Sequence, residues 1–264
     1  MQADINGITL SYEDRGQGLA VLLIHAFPMS GALWQQQISA LETDYRVIVP
    51  DLRGFGSSTI AKGPYPMDTF ADDLVTLLDR LAIKQAVIGG LSMGGYIALA
   101  LLERYPERVQ GLILADTRAT ADTAEARGHR ETTAKMVETE GSAAIADRML
   151  PNLLSPQTTA EKQAFVRSLI EANLPQGIAG ALRGMALRRD STELLASITV
   201  PTLILVGADD MLSPPAEMET MHQAIAGSQF VIIPTAGHVA NIDNPDAFNE
   251  ALRQFLLSFE AFER

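Results

Sequence analysis

Ser92 stands in Gly90-Leu91-Ser92-Met93-Gly94, where a short apolar run (Ala86, Val87, Ile88) gives way to a stretch, 97–102, that reads as a helix buried nearly all round. A sharp strand-to-helix turn brings backbones close together, so the residues two before and two after its centre must be small. Such a turn lifts the central side chain above the sheet edge. It also leaves the next N–H at a helix N-terminus, where developing negative charge is stabilised. The setting suits a nucleophile. A serine hydroxyl is a weak one at neutral pH unless a base sits beside it.

Four histidines are available. His129 lies in the charged stretch EARGHRET and reads as solvated, His222 reads as part of a surface helix, and His25 follows the first apolar run. His238 lies in PTAGHVANID, a loop directly after a strand and next to Gly237. Loops at strand ends are where alternating α/β folds place their chemistry, so His238 is the expected base. An acid must hold its tautomer and stabilise the imidazolium. Asp209 and Asp210 follow one apolar strand and Asp116 follows another. Only one of the adjacent pair is expected to face the histidine. Asp210 is preferred, with Asp116 kept as a substitute acid or as the start of a helical insert. The N–H groups of Met93 and of Phe27, in the loop after the first apolar strand, are the expected donors to an oxyanion.

The elements that position these groups alternate. Residues 4–14 read as a hairpin around Asn6-Gly7. Strands are expected at 20–24, 45–49, 86–90, 109–115, 202–206 and 229–233, with helices near 34–41, 70–81, 94–104, 215–225 and 246–260. This alternation implies parallel strands joined by helical crossovers, an α/β class with a mostly parallel sheet. Residues 119–190 interrupt it after the sixth strand: they are helical in composition and punctuated by Gly141, Pro151, Pro156 and Pro175.

The chain has 264 residues, enough for one large domain carrying an insert. A net charge of −12 without a basic patch argues against nucleic-acid binding. The absence of cysteine excludes disulfides and thiolate chemistry. No apolar run approaches a membrane span and the N-terminus has no signal-peptide pattern, so a cytoplasmic address is expected. There is no Walker motif, dinucleotide fingerprint or metal-ligand spacing, so no cofactor is implied.

The combined motifs resemble the α/β-hydrolase superfamily, from about residue 4 to residue 260. HAFP at 25–28, PDLRGFGSS at 50–58, GGLSMGG at 89–95, YPERVQGLILADTRA at 105–119, GADDMLSPP at 207–215 and AGHVANIDNP at 236–245 carry the resemblance. It implies a triad of Ser92, Asp210 and His238, oxyanion donors at Phe27 and Met93, a core of 1–118 and 191–264, and a helical cap of 119–190. Within the superfamily the chain looks like bacterial short-chain carboxylesterases, and it is similar to 3-oxoadipate enol-lactone hydrolases and cofactor-free haloperoxidases. Perhydrolysis by the same triad, and a ligand receptor with slow turnover, are the rival readings. Serine at position 92 argues against dehalogenase and epoxide-hydrolase chemistry, which the resemblance associates with aspartate there.

Two departures from the family pattern stand out. Ala26 occupies a position usually held by glycine, so strain in the oxyanion loop is expected, with Ala26→Gly relieving it. Asp243 stands where relatives commonly carry glutamate. The expected partner is a small-molecule ester. Phe27, Met29, Trp34 and Val239 are candidates for the acyl side of its pocket, with Met149, Leu153 and Met185 as an apolar ceiling. No arginine cluster is visible, although Arg118, Arg183 and Arg188 are within reach of a pocket mouth, and this favours neutral esters.

Overall fold

The computed structural model describes residues 1–260. Eight strands form one sheet: β1 (Gln2–Ile5), β2 (Ile8–Arg15), β3 (Ala20–Ile24), β4 (Arg46–Pro50), β5 (Ala86–Leu91), β6 (Val109–Ala115), β7 (Thr202–Gly207) and β8 (Gln229–Ile233). Their spatial order is β1-β2-β4-β3-β5-β6-β7-β8. The pairs β1–β2 and β2–β4 are antiparallel and all later pairs are parallel. The hairpin closes through Asn6 and Gly7 at φ of 45° and 79°, the mirror-image turn whose twist matches the strands it joins. Strands β3, β5 and β7 are buried at every residue. Helices cover both faces there, which is why these segments read as unbroken apolar runs.

The crossovers are α1 (Gln35–Leu41), α2 (Met67–Arg80) and α3 (Met93–Arg104). Between β6 and β7 stand α4 (Ala124–Glu140), α5 (Ser142–Leu153), α6 (Ala160–Glu171), α7 (Pro175–Ala186) and the short α8 (Thr192–Leu195). The second half closes with α9 (Pro215–Ala224), α10 (Ala240–Asp243) and α11 (Pro245–Glu260). Thr123 and Thr159 cap α4 and α6, accepting the N–H groups of Ala126 and Lys162. These caps satisfy amide donors that a helix start otherwise leaves unpaired. Pro175 sits in the first turn of α7, as a helix start allows. Pro151 lies inside α5 rather than ending it.

Register gathers the chemistry at one end of the sheet. Leu91 pairs with Ala115, Ala115 with Leu205, and Gly207 with Ile233. Parallel strands that stop together place Ser92, Asp116, Asp210 and His238 on neighbouring exits at the carboxyl edge. The carboxyl edge is where such sheets bind ligands.

Candidate active site

Ser92 holds φ 54° and ψ −112°, an unusual conformation for a residue with a Cβ. Such strain persists only where neighbouring bonds fix it. The Ser92 N–H donates to the carbonyl of Ala115 at 2.9 Å, and its own carbonyl accepts from the Thr117 hydroxyl at 2.7 Å and from the Gly95 N–H at 2.9 Å. The glycines make room. A Cβ on Gly90 would stand 2.1 Å from the Gly94 carbonyl oxygen, and one on Gly94 would stand 2.2 Å from the oxygen of Ile24.

The Ser92 hydroxyl lies 2.8 Å from His238 Nε2, and His238 Nδ1 lies 2.9 Å from Asp210 Oδ2. The other Asp210 oxygen accepts the N–H groups of Leu212 at 2.8 Å and Ser213 at 3.0 Å. Burial works against charge on Asp210, but the bond from His238, the charge it carries when protonated, and these two amides hold its pKa below the ordinary carboxylate value. An ionised Asp210 only accepts, so Nδ1 carries the proton and Nε2 is free to accept the Ser92 proton. Asp209 is turned away and accepts from the Ser155 hydroxyl at 2.6 Å.

Asp116 sits directly beside the acid of this relay and interacts with it. It is fully buried, takes φ 44°, and accepts the Gly207 N–H on Oδ1 at 2.8 Å, with the Ala240 amide and the Asp210 carboxyl close by. Burial first, then the nearby Asp210 charge, pushes its pKa well up, so Asp116 is held as the neutral acid. His25 is equally buried. Its Nδ1–H donates to the Ala26 carbonyl and its Nε2 accepts the Leu52 N–H, each at 3.0 Å, tying the exits of β3 and β4 together. Burial lowers the His25 pKa, against the Ala26 bond and the Asp51 charge, and the ring stays neutral.

The loop after β3 differs from expectation. Among the described residues, the non-glycine positions with positive φ are Asn6, Ala82, Ser92, Asp116 and Thr235. Ala26 is therefore unstrained, and its carbonyl accepts the Met29 N–H at 3.0 Å. No backbone acceptor takes the N–H of Phe27 or of Met93 among the described residues. Asp243 binds backbone rather than a side chain: one oxygen accepts the N–H groups of Gly237 at 2.8 Å and Ser155 at 2.7 Å. The Val239 N–H donates to the Leu153 carbonyl at 3.0 Å. The histidine loop and the end of α5 are thus stitched together.

A cavity of about 400 Å³ opens over Ser92 and His238. Phe27, Met149 and Met185 are among its lining residues. Met29, Trp34, Leu153 and Val239 do not line it, and these four pocket expectations are corrected. All are at most 1 % exposed and belong to the core, with the Trp34 ring 6.0 Å from that of Phe248 on α11. Their apolarity reflects packing, the commoner use of such residues. The walls that sequence reasoning missed include Tyr96 on α3, His129, Arg130 and Thr133 on α4, Ile145, Arg148 and Asn152 on α5, and Leu182 on α7. Positions 145, 148, 149 and 152 follow the i, i+3, i+4, i+7 spacing of one helix face, a signal the sequence does carry. His129 is exposed, as expected, yet borders the cavity. Arg118 reaches the wall; Arg183 instead pairs with Glu131 and Glu138, and Arg188 is buried against the Tyr96 ring.

A strained serine on a strand-to-helix turn, bonded through histidine to an ionised aspartate at the carboxyl edge of a parallel sheet, defines a hydrolase-type α/β architecture. The description of the alpha/beta hydrolase fold matches residues 20–137 and 152–245, and the chain belongs to this family. A thermophilic esterase from Thermogutta terrifontis, solved with malate bound, is 43% identical, with a TM-score of 0.96 and 98% of each chain covered. The 3-oxoadipate enol-lactonase 2 of Acinetobacter baylyi is 30% identical over 257 residues, covering 96% of this chain and 94% of that protein. A bromoperoxidase from Bacillus anthracis is 28% identical, with a TM-score of 0.86 and 97% and 99% of the two chains covered. Among the described residues no helix is long and apolar enough to cross a membrane.

Proposed function

We propose that the chain is a serine ester hydrolase acting on short carboxylic esters by two-step acyl transfer. The observation that carries this reading is the continuous relay from Ser92 Oγ through His238 to Asp210. His238 takes the Ser92 proton as Oγ attacks the ester carbonyl. The oxyanion develops against the N–H groups of Met93 and Phe27, which are free to donate. Protonated His238 then gives its proton to the leaving alcohol, and the acyl group remains on Ser92. Water, deprotonated by His238, attacks the acyl-enzyme and releases the acid and Ser92. The insert α4–α7 serves as a cap that roofs the reacting atoms. A lactone presents the same carbonyl, and similarity to an enol-lactonase supports ring opening as a second use of the site.

The test is steady-state hydrolysis of p-nitrophenyl esters from acetate to dodecanoate, by wild type and Ser92→Ala. Turnover should peak at short chains, in keeping with a cavity of about 400 Å³. It should fall by about ten-thousandfold or more in the variant. Equal hydrolysis by Ser92→Ala would sink the assignment.

A further inference from the structure

The cavity wall is cationic in a chain whose net charge is −12. Arg118, Arg130 and Arg148 line it, from the loop after β6, from α4 and from α5, and among the described residues that line it none is aspartate or glutamate. Nearby carboxylates do not cancel this charge fully. Arg118 has its own partner, Glu217, at 3.2 Å. Arg130 and Arg188 share a single carboxylate, that of Asp122, which is only 6 % exposed and lies outside the cavity lining. Burial opposes charge on Asp122, yet Arg130, Arg188 and Arg118 together hold its pKa below the ordinary range, so it stays ionised. One anion therefore answers two guanidiniums. Among the described residues Arg148 pairs with no carboxylate, and its guanidinium donates to the Met136 sulfur at 3.4 Å.

Arg130, bonded to Asp122 and the Met185 sulfur, and the solvent-exposed Arg148 both border this open cavity, and a guanidinium's fork geometry matches a carboxylate. The remaining wall is apolar (Phe27, Ile145, Met149, Leu182 and Met185 among it), which fits the carbon skeleton between an anionic end and the reacting carbonyl. We propose that the insert wall holding Arg130 and Arg148 is a carboxylate-binding subsite, and that the preferred substrates are esters bearing a free carboxylate, such as monoesters of short dicarboxylic acids. This replaces the expectation of neutral esters drawn from the sequence. It rests on the serine hydrolase reading for the reaction, while the binding of the anion stands apart from it.

Two measurements separate the claims. The first is the ratio of kcat/KM for monoethyl succinate to that for ethyl butanoate, a neutral ester of similar size, in wild type, Arg148→Gln and Arg148→Glu. Wild type should favour the anionic ester by about tenfold or more, and the ratio should fall by about tenfold in Arg148→Gln and further in Arg148→Glu. The second is calorimetric titration with succinate, which should bind wild type and bind Arg148→Glu at least about tenfold more weakly. Thermal melts of both variants establish that they are folded. Preference for the neutral ester by wild type, together with no succinate binding, overturns the subsite and leaves the hydrolase intact. Succinate binding that depends on Arg148, in a protein that hydrolyses no ester, upholds the subsite and overturns the hydrolase.

Discussion

Two carboxylates leave neighbouring strands at the same edge of the sheet and end in opposite states. Asp210 follows β7, receives the His238 ring and the N–H groups of Leu212 and Ser213, and stays ionised. Asp116 follows β6, receives the Gly207 N–H on one oxygen, lies against the Asp210 carboxyl, and has its pKa pushed well up, which favours the protonated form. Both are buried and both are one loop away from Ser92. What separates them is first burial and the neighbouring charge, which push Asp116 up, and then the His238 ring and two amides aimed at Asp210, which hold it down. A buried carboxylate without enough donors escapes the cost of charge by holding its proton. The neutral form of Asp116 also spares Asp210 a second negative charge beside it.

Asp210→Asn should break this contrast most severely. An amide in that place no longer selects the productive histidine tautomer, and kcat on a short p-nitrophenyl ester should drop by about ten-thousandfold. A loss below about tenfold, paired with a severe loss in Asp116→Asn, would transfer the acid to β6. Asp116→Asn itself should cost less than about tenfold in kcat/KM, since it replaces one neutral group by another.

The same variant sharpens the comparison through stability. A carboxyl whose folded pKa is raised favours folding below the unfolded value, about 3.9 for aspartate, and that contribution is lost as pH rises. Asparagine imitates the protonated form at every pH. The Tm of Asp116→Asn should therefore match wild type near pH 4 and exceed it increasingly towards pH 8. A gap that shrinks with rising pH would mean that Asp116 is ionised. Asp210 has the opposite sign: its lowered pKa stabilises above the unfolded value and loses that effect as pH falls through the folded one. The smallest effect is expected at Ala26→Gly. With no positive φ to relieve, kcat/KM should stay within about twofold, and stability should fall by about 0.4–1 kcal/mol from added unfolded-state freedom. A clear rise in kcat/KM would restore the idea of a strained loop.

Legibility in the sequence divides along the same line as the chemistry. The serine turn was readable because its small residues fall in one window: a Cβ on Gly90 would meet Gly94 and Gly95 of the turn itself, and one on Gly94 would meet the end of β3 beside it. The relay was readable because each member follows an apolar strand, and parallel strands deliver their exits to one edge. The charge states of Asp116 and Asp210 were not readable, since they depend on burial and on the Gly207 and His238 donors that only the folded sheet delivers, while the Leu212 and Ser213 amides are local to Asp210. The pocket was the least legible region. Met29, Trp34 and Val239 follow or stand in motif segments and Leu153 lies on the insert, yet their side chains turn into the core. Arg118, Arg130 and Arg148 lie on three separate elements, and no sequence window shows that they converge.

The seam between α5 and the histidine loop carries a further consequence. Leu153 accepts from Val239, Ser155 donates to Asp243, the Ser155 hydroxyl donates to Asp209, and the Lys162 ammonium donates to the Asp243 carbonyl at 2.7 Å. The insert and the loop bearing His238 are in this sense joined. Prying the roof up along that edge would pull at the loop that aims His238 and detune the relay while the doorway stood open.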